Sequence, residues 1–479
     1  MKSQMKKYGI LGAVAAVVVA ALAGWCIFRG SGDSMASSLP KDVSMVARID
    51  LKGMVLDYGL SLEEAKELLF SKGDRKETGL DLFTPAFAFA SDGYLGLIVA
   101  VDDAEKLETY LREDEGIGNI EEQRGLKWGV LGGNVLMGFS DDRLMIMGPA
   151  VGHELDELRN IVATCLKQSA SNSGKKSRLY KLMNKRSEPV SLAMNTTVVP
   201  EEVLNSVPAV LKKVNLNAID LVAGLRVKKE KITLGATLET EDERVKEALE
   251  DIDDVLQPID GALLRSTPKD APIHLAMGLD GDDLLEFLRK DQSIRTGLLM
   301  INALLDMDMI MKSIDGDVSL SMSSPTTVGR VGEVAQDYFL FQAELDDDKF
   351  MKNITSWNDD VARDLGVSFY AKDARNGICK ANDIEIFFAT PEGKQLKISN
   401  GEWLLGQKEN GQWDMAKGNR IFLAINPKEL NTMGFFGVYV PLAAFFDAIT
   451  IAMPSISEMK VEFQMSEGTD LLRELNIID

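Results

Sequence analysis

Residues 40–54 read PKDVSMVARIDLKGM, and residues 268–284 read PKDAPIHLAMGLDGDDL. The two stretches open on the same tripeptide, and Pro268 lies 228 residues after Pro40 (268 − 40). Three further blocks repeat in the same order. EPVSLAMNTTVVPEEVL from Glu188 resembles NRIFLAINPKELNTM from Asn419, with Leu192 and Leu423 separated by 231 (423 − 192). AIDLVAGL from Ala218 lines up with AITIAMPS from Ala448 at 230 (448 − 218), and KITLGATLETED from Lys231 with KVEFQMSEGTDL from Lys460 at 229 (460 − 231). Four blocks at nearly constant offset predict a tandem duplication, with halves at 39–262 and 263–479.

Each half mixes strands with helices. Val43, Met45, Ala47, Ile49 and Leu51 alternate with mainly polar neighbours, the period-two pattern of a half-buried strand. Ile232, Leu234, Ala236 and Leu238 repeat it, as do Val461, Phe463 and Met465. Between Trp128 and Met147, Gly132-Gly133-Asn134 and Asp141-Asp142 separate three short apolar runs, which predicts an antiparallel meander. Thr240 with Glu243, and Ser61 with Glu64, have capping-box spacing, and Asn426-Pro427 supplies a cap with a first-turn proline. The expected class is α+β: two tandem similar halves, each a largely antiparallel sheet with packed helices, behind an N-terminal transmembrane or signal segment.

That segment is residues 1–29. Lys2, Lys6 and Lys7 precede an uncharged run from Tyr8 to Phe28, 21 residues (28 − 7), closed by Arg29. About 20 apolar residues in a helix span a bilayer, and the flanking lysines orient the rest of the chain outward. Three fates compete. An uncleaved anchor is favoured, because the apolar run continues through Trp25, Cys26, Ile27 and Phe28. Ala21-Leu22-Ala23 fits peptidase cleavage before Gly24 and a released periplasmic form. Lipid attachment at Cys26 would want a small residue where Trp25 stands. Residues 30–38 (GSGDSMASS) read as a short flexible stalk. A second apolar stretch, Gly434 to Pro454, is interrupted by Pro441 and Asp447. It reads as a buried helix and strand, not a second span.

The 479 residues carry 53 Lys+Arg and 74 Asp+Glu, a net charge of −21. That balance argues against nucleic acid, which needs a basic face. Two His and three Cys leave few ligands for zinc or haem. Asp102-Asp103, Asp282-Asp283 and Asp346-Asp347-Asp348 each follow an apolar strand and precede a helix. Carboxylates there suit helix capping better than calcium, which takes six or more oxygens. His153 and His274 stand apart, without a nucleophile or acid nearby in sequence. Cys165 falls on an apolar helix face, and a pairing with Cys379 is permitted by export but not favoured. Trp403 and Trp413 flank LLGQKENGQ and are the candidate exposed ligand-stacking residues, although strand tryptophans more often pack in cores. No G-x-S-x-G, phosphate-binding glycine loop or H-E-x-x-H occurs. No cofactor, no metal and no catalytic set is expected. A carboxylate-only hydrolase of glycosidase type stays as the alternative.

PKDVSMVARIDLKGMVLDYGL, GLDLFTPAFAFASDGYLGLIVAVDDAEKLETYL, GLKWGVLGGNVLMGF and SIDGDVSLSM together resemble a Bacteroidetes cell-envelope family known as domain of unknown function 4836. The resemblance implies an exported protein, often a lipoprotein, and supplies no catalytic or binding residues. The expectation is a non-enzymatic binding or scaffolding ectodomain on the extracytoplasmic side of the envelope. Its expected partners are the membrane, through the N-terminal segment, and an envelope protein or polysaccharide.

Overall fold

The computed structural model describes residues 35–61, 63–64, 78–199, 215–263, 271–302, 305–323, 337–358, 360–382, 384–406, 414–430, 446–468 and 470. They form two compact units, one of residues up to 242 with Asp470, the other of residues 243–468. Both mix helices with a large antiparallel sheet.

The first unit's strands are β1 (Met45–Ile49), β2 (Leu80–Asp81), β3 (Ala86–Ser91), β4 (Tyr94–Val101), β5 (Glu121–Gln123) and β6 (Leu126–Leu131). They continue with β7 (Val135–Phe139), β8 (Arg143–Gly148), β9 (Val190–Asn195), β10 (Ile219–Lys228) and β11 (Lys231–Thr240). The expected meander is β6, β7 and β8, paired in sequence. Strand order across the sheet is β5-β6-β7-β8-β4-β3-β1-β9-β10-β11, every neighbour antiparallel. One face packs Phe87, Phe89, Ile98, Met145 and Met147 against helices Glu154–Lys167 and Arg178–Met183. The other packs Val101, Met137, Phe139 and Leu144 against Leu107 and Leu111 of helix Ala104–Glu113.

The second unit holds β12 (Leu256–Gln257), β13 (Ile273–Asp280), β14 (Ile314–Ser323), β15 (Tyr338–Leu345), β16 (Val367–Ala371) and β17 (Asn376–Ala381). They are followed by β18 (Ile384–Ala389), β19 (Gln395–Ser399), β20 (Ile421–Ile425), β21 (Phe446–Ser455) and β22 (Glu458–Met465). Its order is β16-β17-β18-β19-β15-β14-β13-β20-β21-β22, again antiparallel throughout. Ten strands in each unit therefore pair in one and the same sequence order. One face carries the apolar core of Leu279, Ala343, Leu345 and Leu396 against Phe350, Ile354 and Trp357.

Local signals act as their chemistry dictates. Ser61 and Glu64 form the reciprocal capping box, with Ser61 N donating to Glu64 Oε2 at 2.8 Å and Glu64 N to Ser61 Oγ at 3.2 Å. Asn426 Oδ1 accepts from Lys428 N and Glu429 N ahead of helix Pro427–Leu430. Thr240 Oγ1 instead accepts from Asp242 N, one residue short of the expected box.

Two boundaries differ from expectation. Helix Glu243–Val255 packs in the second compact unit, so the compact units divide at 242/243, whereas the sequence repeat divides the halves at 262/263. The reason is local pairing: Leu256 sits opposite Leu279 in the sheet, and Asp253 Oδ1 accepts from Ile456 N at 2.7 Å. The second concerns the stalk, whose last residues Met35–Ser38 form a 3-10 turn. Met35 and Ala36 enter the first unit's core, and Arg143 Nη1 donates to Ser38 Oγ at 2.9 Å. Among the described residues no helix is long and apolar enough to cross a membrane. The Tyr8–Phe28 run and Cys26 lie outside them, as does the 431–445 part of the second apolar stretch, whose remainder forms β21.

Candidate functional site

The acidic clusters hold backbone. Asp103 Oδ1 accepts from Glu105 N and Lys106 N at 3.1 and 3.0 Å, and Asp280 Oδ1 from Asp282 N and Asp283 N at 2.9 and 3.1 Å. Asp347 Oδ1 takes Lys349 N at 3.0 Å. Each acid satisfies donors that a helix start leaves without an intrahelical partner.

Three other acids meet in the second unit. Asp260, Asp317 and Glu344 bring carboxylate oxygens within 4.8 Å of one another. Asp317 is 1% exposed, and its two oxygens accept Asp260 N at 3.0 Å and Gly261 N at 2.8 Å. Glu344 Oε2 accepts Asp317 N at 3.0 Å across the irregular start of β14. Gly316 there has φ +122°, and a Cβ on it would fall against Glu344 Oε2, so glycine is what lets the carboxylate approach. Burial pushes both Asp317 and Glu344 above the usual carboxylate range, with neighbouring acids adding to it and backbone donors opposing it. The arrangement pins the 260–262 turn to the sheet.

The other candidates disperse. His153 is exposed at the start of helix Glu154–Lys167. His274 is buried in β13, its Nδ1 2.9 Å from Ser321 Oγ, and desolvation lowers its pKa to about 4. Cys165 and Cys379 are free thiols, Cys165 packed in the first unit's core and pushed up to about 11 by burial. Trp403 is half-buried, edge-on to Tyr338 at 5.5 Å and packed with Leu404, whereas Trp413 lies outside the described residues. In the described residues Trp403 therefore serves packing.

Two features escape sequence reading. The first is the second unit's other sheet face. Strand register puts Ala276, Ser319, Gln342 and Lys397 in one row across β13, β14, β15 and β19. His274, Ser321, Leu340 and Ser399 form the next row. All eight are buried. The corresponding rows of the first unit are Arg48, Phe87, Ile98, Met145 and Val46, Phe89, Gly96, Met147. Arg48 and Gly96 aside, apolar bulk there gives way to hydroxyls, an amide, an imidazole and an ammonium here. Nothing in the alternation SIDGDVSLSMS says that its polar side is buried.

The second is a concavity of about 290 Å³ in the first unit, lined by Glu115, Asn119, Glu121, Trp128, Leu131 and Arg159 among others. Its guanidinium lies 4.0 Å from Glu121 and 3.8 Å from Asp156, beyond hydrogen-bond reach, and its buried Nε has no partner among the described residues. Glu121 Oε1 accepts instead from Asn119 Nδ2 at 2.8 Å, and Glu115 Oε1 from the Tyr110 hydroxyl at 2.8 Å. Burial and Glu115 push Tyr110 up to about 12. Trp128, with its indole N–H on Gln123 O at 3.1 Å, is also among the lining residues.

No curated protein matches the chain. Among solved structures, crystal form I of TP0453 is similar at 8% identity and a TM-score of 0.28, covering 47% of this chain and 88% of that one. Crystal form III gives 9% identity and a TM-score of 0.28, covering 48% and 90%. Likeness this remote carries no argument about fold or role. The family comparison is decisive: the model of the domain of unknown function DUF4836 matches residues 37–409, and the chain belongs to that family.

Proposed function

We propose that the chain is an exported cell-envelope protein whose duplicated ectodomain binds or scaffolds an envelope protein or polysaccharide, without catalysis. The single observation that carries binding is the Arg159 concavity, where a guanidinium held only at ion-pair distance by Glu121 and Asp156 shares the lining with Trp128 and Leu131. Such mixed linings suit ligand capture, and a guanidinium without a close hydrogen-bonded carboxylate suits a carboxylate or sulfate. Duplication is supported by the common strand order and by the repeated sequence blocks. The envelope location is supported by Lys2, Lys6 and Lys7 ahead of the Tyr8–Phe28 run, which would hold the chain at the membrane.

Detergent-solubilised full chain should retain an envelope component from extracts, and Arg159→Ala should release it. Equal retention by the variant sinks the assignment of binding to this concavity. Fractionation with and without globomycin-type inhibition of lipoprotein processing tests the anchor: a mobility shift that depends on Cys26 sinks the uncleaved reading. The rival, a glycosidase-like hydrolase, is favoured by one observation, that Glu115 and Glu121 line the same opening. Envelope-glycan cleavage lost in both Glu115→Gln and Glu121→Gln would establish it.

A further inference from the structure

We propose that the buried polar face of the second unit is a binding site for a small oxyanion, a carboxylate or a phosphate, held by Lys397. Lys397 is 5% exposed. The other charged side chains buried among the described residues are matched: Asp220 by Arg178 at 2.6 Å, Glu462 by Lys460 at 2.8 Å, and Asp317 by two backbone N–H groups. No hydrogen bond or ion pair among the described residues holds the Lys397 ammonium. Glu344, which pairs one row along with Gln395, turns its carboxylate to Asp317 N instead. Burial alone lowers the Lys397 pKa, with no neighbouring charge among its causes. An unpartnered cation on a side chain this deeply placed is costly.

The fold does not demand that cost. Met145 on β8 holds the corresponding place in the first unit, opposite Ile98, in an apolar core. The polar set around Lys397 is organised. Gln342 Nε2 reaches Ser319 Oγ at 3.4 Å, His274 Nδ1 lies 2.9 Å from Ser321 Oγ, and Ser399 Oγ donates to Phe339 O at 2.5 Å. With His274 neutral, Lys397 carries the one ammonium in these two described rows, among hydroxyl, amide and apolar groups. An oxyanion is the ligand class that both would satisfy. This site belongs to the second unit and is independent of the Arg159 concavity, so either can fail without the other.

The experiment is thermal unfolding of the full chain in detergent, titrated with sodium phosphate or sodium acetate at ionic strength fixed with sodium chloride. The wild type should gain melting temperature saturably with at least one anion, and the stronger of the two names the source. Lys397→Arg should keep the response. Lys397→Met should weaken apparent affinity roughly tenfold or more, yet melt no lower than the anion-free wild type, because it removes an unmatched buried charge. Lys397→Gln carries the same test if the methionine variant does not fold. No response in the wild type, or a response intact in Lys397→Met, overturns the proposal. So does a neutral variant that melts lower than the anion-free wild type, which would make Lys397 a structural prop.

Discussion

Replacing Asp317 tests whether the acids of this protein hold backbone or perform chemistry. Asp317→Ala removes the acceptor from Asp260 N and Gly261 N. A buried donor left unpaired costs about 1–3 kcal/mol. Asp260 is exposed and Gly261 half-exposed, so water compensates in part, and the lower end applies to each: about 2–3 kcal/mol together. Asp317→Asn keeps one acceptor and turns an NH₂ toward the other donor, for about 1–2 kcal/mol. The sign of the pH dependence follows from the raised carboxyl. The folded state binds this proton more tightly than the unfolded state, so the contribution of Asp317 is full at low pH. It declines as pH rises from about 3.9 through the raised folded value. The deficit of Asp317→Asn relative to wild type should therefore be larger near pH 4 than near pH 7. Urea unfolding at several pH values measures it, and hydrogen exchange at Asp260 and Gly261 localises it. Asp317→Ala within about 0.5 kcal/mol of wild type, with unchanged exchange at those amides, would refute the reasoning.

Three further outcomes follow from the same geometry. His274 titrates near 4 when folded and near 6.5 when unfolded, so its stabilisation is full above 6.5 and is lost as pH falls toward 4, by roughly 3 kcal/mol. His274→Gln should abolish that slope in a pH series of urea midpoints. Cys165, pushed up to about 11, should resist iodoacetamide at pH 8 in the native chain and react after unfolding, read by mass spectrometry of its peptide. Asp280→Ala, which removes the acceptor from Asp282 N and Asp283 N, should cost about 1 kcal/mol and speed exchange at the start of helix Gly281–Arg289.

Much of the architecture was legible because alternation and repeat spacing are written locally. The meander, the Ser61 and Asn426 caps and the strands beginning at Lys231 and Glu458 all follow their sequence signals. Register was less legible. Ala193 pairs with Val222 and Ala424 with Thr450, which puts Val222 and Thr450 at corresponding places 228 apart (450 − 222), two fewer than the 230 separating Ala218 and Ala448. A slip of two preserves the face of every side chain, so the hydrophobic pattern cannot detect it. The buried polar face was hidden for a related reason. Ser319, Ser321 and Ser323 alternate with Val318, Leu320 and Met322, and alternation reports two unlike faces without saying what covers the polar one. Arg159 could not be found either, because its concavity joins residues 115–132 to a helix nearly thirty positions later.

The central claim is that this chain acts by binding, through the Arg159 concavity. Site-specific photocrosslinking in intact cells tests it most directly, with a benzophenone side chain at Leu131 on the rim and a control at exposed Tyr370. The account predicts a discrete adduct from Leu131 that disappears with Arg159→Ala, and none from Tyr370. No adduct from Leu131, or one that survives Arg159→Ala, would contradict it.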